Sequence, residues 1–180
     1  MRISRKLRPV LAAAALAATL AVLGALVTQL GPWYYELRKP SWQPPDWLFG
    51  PVWTLIFSLA ALAGIIAWDR AVNRSERRRI IALFAANALL NVLWSYLFFR
   101  LHRPDWALIE VVVLWLSIVA LIVGLWPISK TASALLLPYL AWVSFAAVLN
   151  LAIVRLNSTF ALSALREVFP ISVAAAAAVQ

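Results

Sequence analysis

The side chains in this sequence that can do chemistry are indoles, phenols and amides, and the usual catalytic types are scarce. There is no cysteine and one histidine, His102, which excludes disulfides, thiolate metal sites and cysteine nucleophiles. The seven acids (Glu36, Asp46, Asp69, Glu76, Asp105, Glu110 and Glu167) fall mostly in connections and nowhere at metal-ligand spacing with His102, so no metal site is expected. Tryptophan is abundant instead, with ten in 180 residues. A buried indole N–H requires a partner or a polar cavity. Trp68, Trp106 and Trp126 stand at the ends of apolar runs, where indoles settle at headgroup depth. Trp53, Trp94, Trp115 and Trp142 stand inside those runs, and an interfacial belt does not account for them.

Amides accompany the inner tryptophans. Asn87, Asn91 and Ser95 recur at a spacing of four, which on a helix draws one polar stripe with Trp94 beside it. Trp142, Ala146 and Asn150 share a face in the same way. An unpaired amide is costly inside a bilayer, so both stripes belong in the interior of a bundle. They serve either as hydrogen-bonding glue between helices or as the polar points of an aromatic-walled ligand pocket, and the two roles are compatible.

The elements that must position these residues follow from hydropathy. The composition is 64% hydrophobic and 13% charged, against nearly half and a quarter in a soluble domain. Five apolar runs cover residues 10–30, 48–68, 80–99, 106–126 and 134–154. Each is about 20 residues, enough to cross a ~30 Å hydrocarbon core as a helix. They are too long and too continuous for barrel strands. The expected fold is an all-α membrane protein, a five-transmembrane-helix bundle over residues 10–157, with a basic segment at 1–9 and an apolar tail at 158–180. Arg2, Arg5, Lys6 and Arg8 before an alanine-rich run resemble a signal peptide, but the run exceeds 7 to 15 residues and no small-x-small site follows; it is read as the first span. Arg166, Glu167 and Pro170 interrupt the tail, which suits an interfacial or packed helix better than a sixth crossing.

The net charge of +9 sits at the ends of the apolar runs and carries topological information, not a nucleic-acid site. Residues 2–8, the loop bearing Arg70, Arg74, Arg77, Arg78 and Arg79, and Lys130 fall on one side. Arg38, Lys39, Arg100, Arg103, Arg155 and Arg166 fall on the other. The richer side is expected to be cytoplasmic, which puts the N-terminus inside and the C-terminus outside. The first external loop, residues 31–47, holds Pro32, Pro40, Pro44 and Pro45 among Trp33, Tyr34, Tyr35, Trp42 and Trp47. Prolines fix φ and remove donors, so this loop is expected to be a stiff lid with aromatics that close a cavity mouth.

At this point a resemblance becomes specific. Trp33-Tyr34 leading to Lys39-Pro40-Ser41-Trp42 and Pro44-Pro45, then Pro51-Val52-Trp53-Thr54, resembles the first loop and second helix of the tryptophan-rich TspO/translocator-protein family. Asn91, Trp94 and Phe98-Phe99 are similar to its third helix, and Pro138-Tyr139-Leu140-Ala141-Trp142 with Leu149-Asn150 to its fifth. The motifs arrive in the family's order. The resemblance implies a five-helix, commonly dimeric bundle with a cavity beneath the first loop that takes porphyrins and haem, sterols in animals, and benzodiazepine-type drugs. It implies a wall of Tyr34 and Trp42 from the loop, Trp53, then Asn91, Trp94 and Ser95, then Trp142, Ala146 and Asn150. Ala82 and Ala86 hold a small-x-x-x-small position at the family's dimer contact.

The expected function is a membrane receptor or sensor for a tetrapyrrole, with no required cofactor, in which Arg38 and Lys39 of the lid meet ring propionates. The alternative is light-dependent oxidative degradation of porphyrin with Trp53 and Trp142 taking part; the spans contain no nucleophile, triad or proton relay, so such chemistry would come from the ligand. An ion-coupled carrier would need ionisable residues along a path through the bilayer, and they are missing. The stretch Leu149 to Arg155 contains no tyrosine, so the sterol-recognition pattern of animal members is incomplete.

Overall fold

The computed structural model describes residue 28 and residues 30–157; the expected first span, apart from residues 28 and 30, and the tail 158–180 lie outside the described residues. Within them the chain is helical, without strands. A short helix α1 (Pro32–Glu36) precedes four long segments: α2 (Asp46–Arg70), α3 (Arg74–Ser95) continued by a π-helical turn (Tyr96–Arg100), α4 (Pro104–Leu125), and a broken pair, α5 (Lys130–Ala134) and α6 (Leu137–Leu156). Four of these units are long and apolar enough to cross a membrane: α2, α3 with its π turn, α4, and α5 with α6.

Local chemistry sets the ends. Asn73 accepts the Glu76 amide at 2.9 Å, while the Glu76 carboxylate accepts from the Val72 amide at 2.8 Å and the Asn73 amide at 3.1 Å. This reciprocal cap satisfies donors that the first turn of α3 leaves free. Pro104 begins α4, where its missing N–H costs nothing. Ser129 caps α5 through the Ala132 amide at 3.2 Å and accepts from Arg70 of α2 at 3.1 Å. The break before α6 has its cause in Pro138, which has no N–H for the Ala134 carbonyl and whose ring would collide with it.

The helices turn apolar side chains outward as well as inward. Ile109, Val112, Val113 and Leu116 of α4 and Leu89 of α3 are exposed, as expected where the surroundings are hydrocarbon. Inside, Ala63 and Ala67 of α2 and Ala71 just beyond its end meet Ile80, Leu121, Leu125, Ala132 and Leu136 at one end of the bundle. Val111, Leu114 and Ile118 of α4 pack with Ile56, Tyr139 and Val143 at mid-depth. At the opposite end Tyr34 and Leu37 join Phe98, Ala107, Leu149 and Ile153. Small residues admit close approach, and Gly124 is the tightest case: a Cβ there would stand 2.6 Å from Leu83 Cδ1.

Gly124→Ala is expected to be nearly neutral, because Leu83 can swing its flexible end and the helix gains up to about 1 kcal/mol in propensity. Gly124→Ile has no such escape and should cost about 1 to 3 kcal/mol by overpacking α3 against α4, lowering the apparent Tm in detergent by roughly 5 °C. Equal melting of the two variants would contradict this contact.

Candidate functional site

A cavity of ≈ 770 Å³ lies between α2, α3 and α6 beneath the loop that leads into α2. α4 contributes nothing to its wall and stands behind, packed on α3 and α6. From α1 comes Tyr34 and from the loop after it Gln43; from α2, Asp46 at its first position and Trp53 with Phe49 and Phe57; from α3 and its π turn, Asn91, Trp94, Ser95, Phe98 and Phe99; from α6, Trp142, Ala146 and Asn150.

Hydrogen bonds between helices fix the polar side chains of this wall. Trp94 donates its indole N–H to Asn150 Oδ1 at 3.3 Å, and Asn150 Nδ2 donates to the Pro104 carbonyl at 2.8 Å. Asn150 is 1% exposed, so one amide joins α3, α6 and the start of α4. A second chain runs deeper. Asn91 Nδ2 donates to Tyr139 Oη (3.1 Å), Tyr139 to Asn87 Oδ1 (3.2 Å), and Asn87 Nδ2 to Ser117 Oγ (2.8 Å). The asparagine stripe therefore does both jobs: Asn87 is buried glue, while Asn91 is held by glue and faces the cavity.

The aromatic lining is ordered by the π turn. Its Leu101 amide reaches back to the Tyr96 carbonyl at 3.0 Å, the wider spacing that often marks functional sites. Phe98 stacks on Trp94 with ring centroids at 5.2 Å and meets Phe99 at 4.8 Å. His102, at φ 55°, occupies the left-handed region just beyond, and its ring stacks on Trp33 at 4.3 Å. Across the cavity Trp53 and Trp142 meet edge to face at 6.5 Å. The Trp142 indole N–H is buried and has no hydrogen-bond partner among the described residues.

The lid is strapped on three sides. Tyr34 donates to Asp46 Oδ1 at 2.8 Å, and Gln43 Nε2 donates to the same oxygen at 3.1 Å and to Tyr34 Oη at 3.3 Å. Lys39 Nζ sits 3.6 Å from the Tyr34 ring centroid and 3.8 Å from Asp46 Oδ2. Burial, then the hydrogen bond to Asp46 and its negative charge, raise the Tyr34 pKa above the usual tyrosine range, which keeps the phenol a neutral donor. The Arg38 backbone is clamped by Asn157 at the end of α6, its N–H donating at 3.0 Å and its carbonyl accepting at 2.8 Å. Trp33 stacked on His102 ties the third side to the α3–α4 turn.

Of the side chains expected at the site, Tyr34, Trp53, Asn91, Trp94, Ser95, Trp142, Ala146 and Asn150 all line the cavity. Trp42 does not; it is 48% exposed and meets Phe145 edge-on at 5.9 Å. Arg38 and Lys39 are also outside the wall. Ala82 and Ala86 are exposed on α3, away from the site. Trp115 is not on the wall and donates to Ser144 at 2.9 Å. Glu110 is buried behind the cavity, not in it. Gln43, Asp46, Phe49 and Phe57 escaped the sequence reading. The helix period places Phe49 and Phe57 on the Trp53 face, whereas nothing in the loop's composition announces the Gln43–Asp46 pairing.

Fold and site together define a helical integral membrane protein with a ligand-sized, aromatic cavity under an extramembrane lid. The model of the TspO/MBR family matches residues 12–156, and the chain belongs to that family. It is 44% identical over 126 residues to the tryptophan-rich protein TspO of Chlorobaculum tepidum, covering 69% of this chain and 80% of the relative. It is 36% identical over 126 residues to the translocator protein of Sus scrofa, covering 69% and 75%. It is also 35% identical over 137 residues to the tryptophan-rich sensory protein of Cereibacter sphaeroides, covering 76% and 84%.

Asn150→Ala would orphan the Trp94 indole and take from the Pro104 carbonyl its second hydrogen bond, beyond the helical one, in a dry environment. It should cost about 1 to 3 kcal/mol, read as a lower apparent Tm in detergent. Val72→Ala, which trims a side chain 90% exposed in the connection between α2 and α3, should cost less than about 0.5 kcal/mol. Equal effects would contradict the structural weight given to Asn150.

Proposed function

We propose that this protein is a membrane receptor or sensor that holds a tetrapyrrole, porphyrin or haem, or a similar flat hydrophobic molecule, in the cavity under the lid and assists its passage to a further acceptor. The observation that carries this reading is the buried Trp142 N–H, which lacks a partner on a wall whose Asn91 and Asn150 amides are hydrogen-bonded and whose other faces are largely aromatic. An unpaired buried donor is costly, and a ligand acceptor offsets that cost. The cavity volume of ≈ 770 Å³ falls within the range of small-molecule sites, about 300 to 1,000 Å³. Trp53, Trp94 and Trp142 offer ring faces and edges at the spacings aromatic partners use, roughly 4.5 to 7 Å.

Three further parts belong to this reading. Residues 10–30 form a fifth crossing, supported by their length and apolar run. The arginine-rich segment 70–79, the end of α2 and the first turns of α3, shares the cytoplasmic side with the N-terminal basic cluster, with the C-terminus external, supported by the distribution of basic residues. Exposed Ala82 and Ala86 suit a homodimer contact through α3. The names tryptophan-rich sensory protein and translocator protein speak of sensing and passage in those relatives, and they favour the same roles here.

A second reading, light-dependent oxidation of a bound porphyrin, draws on the Trp53–Trp142 pair at 6.5 Å, which would meet an excited ligand directly. Both readings share one assay. Protoporphyrin added to the purified protein in darkness should quench tryptophan emission saturably. Trp142→Phe and Asn91→Ala should each weaken binding about tenfold, one hydrogen bond's worth. Absence of saturable quenching by the wild type contradicts the receptor reading. Unchanged porphyrin absorption under illumination, with binding intact, removes the oxidative one.

A further inference from the structure

Gln43 lines the cavity and carries a buried hydrogen-bond acceptor that no part of the receptor reading uses. Its carboxamide is held in one orientation. Nε2 points at Asp46 Oδ1 (3.1 Å) and at Tyr34 Oη (3.3 Å), and Tyr34 has already given its proton to the same Asp46 oxygen at 2.8 Å. Both partners are therefore acceptors toward Gln43. A flipped amide would set its carbonyl against two acceptors, so the amide is locked with its nitrogen on this side. The group is planar, and its oxygen is consequently turned away from the network. Oε1 is buried without a partner, on a residue that lines the cavity. The sense of this orphan is opposite to that of Trp142: Gln43 offers an acceptor, Trp142 a donor.

The geometry points to Gln43 as a specificity-determining residue that selects ligands bringing an N–H or O–H donor to the lid end of the cavity, over those that bring only acceptors there. The inference rests on the receptor reading and adds the polarity of the ligand's edge. A buried acceptor left unpaired penalises every ligand that cannot donate to it, and sites with buried polar groups discriminate through that penalty. Asp46 and Tyr34 act as positioning residues, because they hold the amide in register without being its ligand-facing atom. A ligand whose edge carries ester oxygens seals the Gln43 oxygen under an acceptor. One whose edge carries a primary amide satisfies it.

The test uses the full chain in detergent and two porphyrin derivatives of similar size, the protoporphyrin bis-amide and the dimethyl ester, with binding read in darkness by tryptophan quenching. The wild type should bind the bis-amide about tenfold more tightly than the diester. Gln43→Leu should bring the two affinities together. Tyr34→Phe loosens the same part of the lid without removing Oε1, and should weaken both ligands while leaving the bis-amide ahead. A wild-type preference near unity, or a preference that survives Gln43→Leu, overturns the assignment while leaving the receptor reading intact. Failure of the wild type to bind either derivative or protoporphyrin itself overturns the receptor reading and this assignment with it.

Discussion

With no water inside a bilayer to serve a polar group, the carboxamide of Asn150 has to find its partners within the bundle, and it finds them on two other helices. It takes the Trp94 indole on one side and gives to the Pro104 carbonyl on the other. That fixes the rotation of α3 and α6 about their axes and the height at which α4 begins. Everything that lines the cavity from those helices inherits its position from this choice: Asn91 and Ser95 lie within one turn of Trp94, and Ala146 and Trp142 lie one and two turns from Asn150. The longer relay through Asn91, Tyr139, Asn87 and Ser117 repeats the device deeper in the bundle. In a soluble protein, apolar contacts would set the same angles by excluding water. Here lipid is as apolar as leucine, and directional bonds and close packing carry more of the specification.

The division of labour among the helices follows. α4 packs one apolar face into the core and turns another to lipid, makes its polar contacts with α3 and α6, and buttresses the wall without touching the cavity. α2 has few polar ties to its neighbours, and its inward face is mostly aromatic and small, which leaves room beside Trp53. The lid closes the end, held by the Tyr34–Gln43–Asp46 network, by the two-point clamp of Asn157 on Arg38, and by Trp33 on His102. Lys39 and Asp46, both partly exposed, add little as an ion pair, about 0 to 1 kcal/mol; Lys39 matters more as a cap over the Tyr34 ring.

Much of this was legible in the sequence because membrane helices write their constraints locally. A polar residue every fourth position within an apolar run has few places to go, and Asn87, Asn91 and Asn150 disclosed both the interior faces and the cavity wall. Trp53, Trp94 and Trp142 followed from their depth. What sequence could not supply was contact across distance. Asn157 and Arg38 are separated by 119 residues, and their pairing depends on where α6 ends relative to the lid. Trp42, grouped with the wall by its neighbours in the motif, is turned instead toward Phe145, because the turn at Pro40–Gln43 swings it outward. The π turn and the left-handed His102 leave no compositional trace, although they aim Phe98 and Phe99. Residues 10–30 and 158–180 were read from hydropathy alone.

The central claim is that the space enclosed by Trp53, Trp94 and Trp142 beneath the lid is the ligand site. The direct measurement is a structure of the full-length protein with protoporphyrin bound. The ring should lie between α2, α3 and α6, with a ligand acceptor within hydrogen-bond distance, about 3 Å, of Trp142 Nε1. A ring bound on the outer face of α3 or α4, with the Trp142 N–H still unpartnered, would contradict the account.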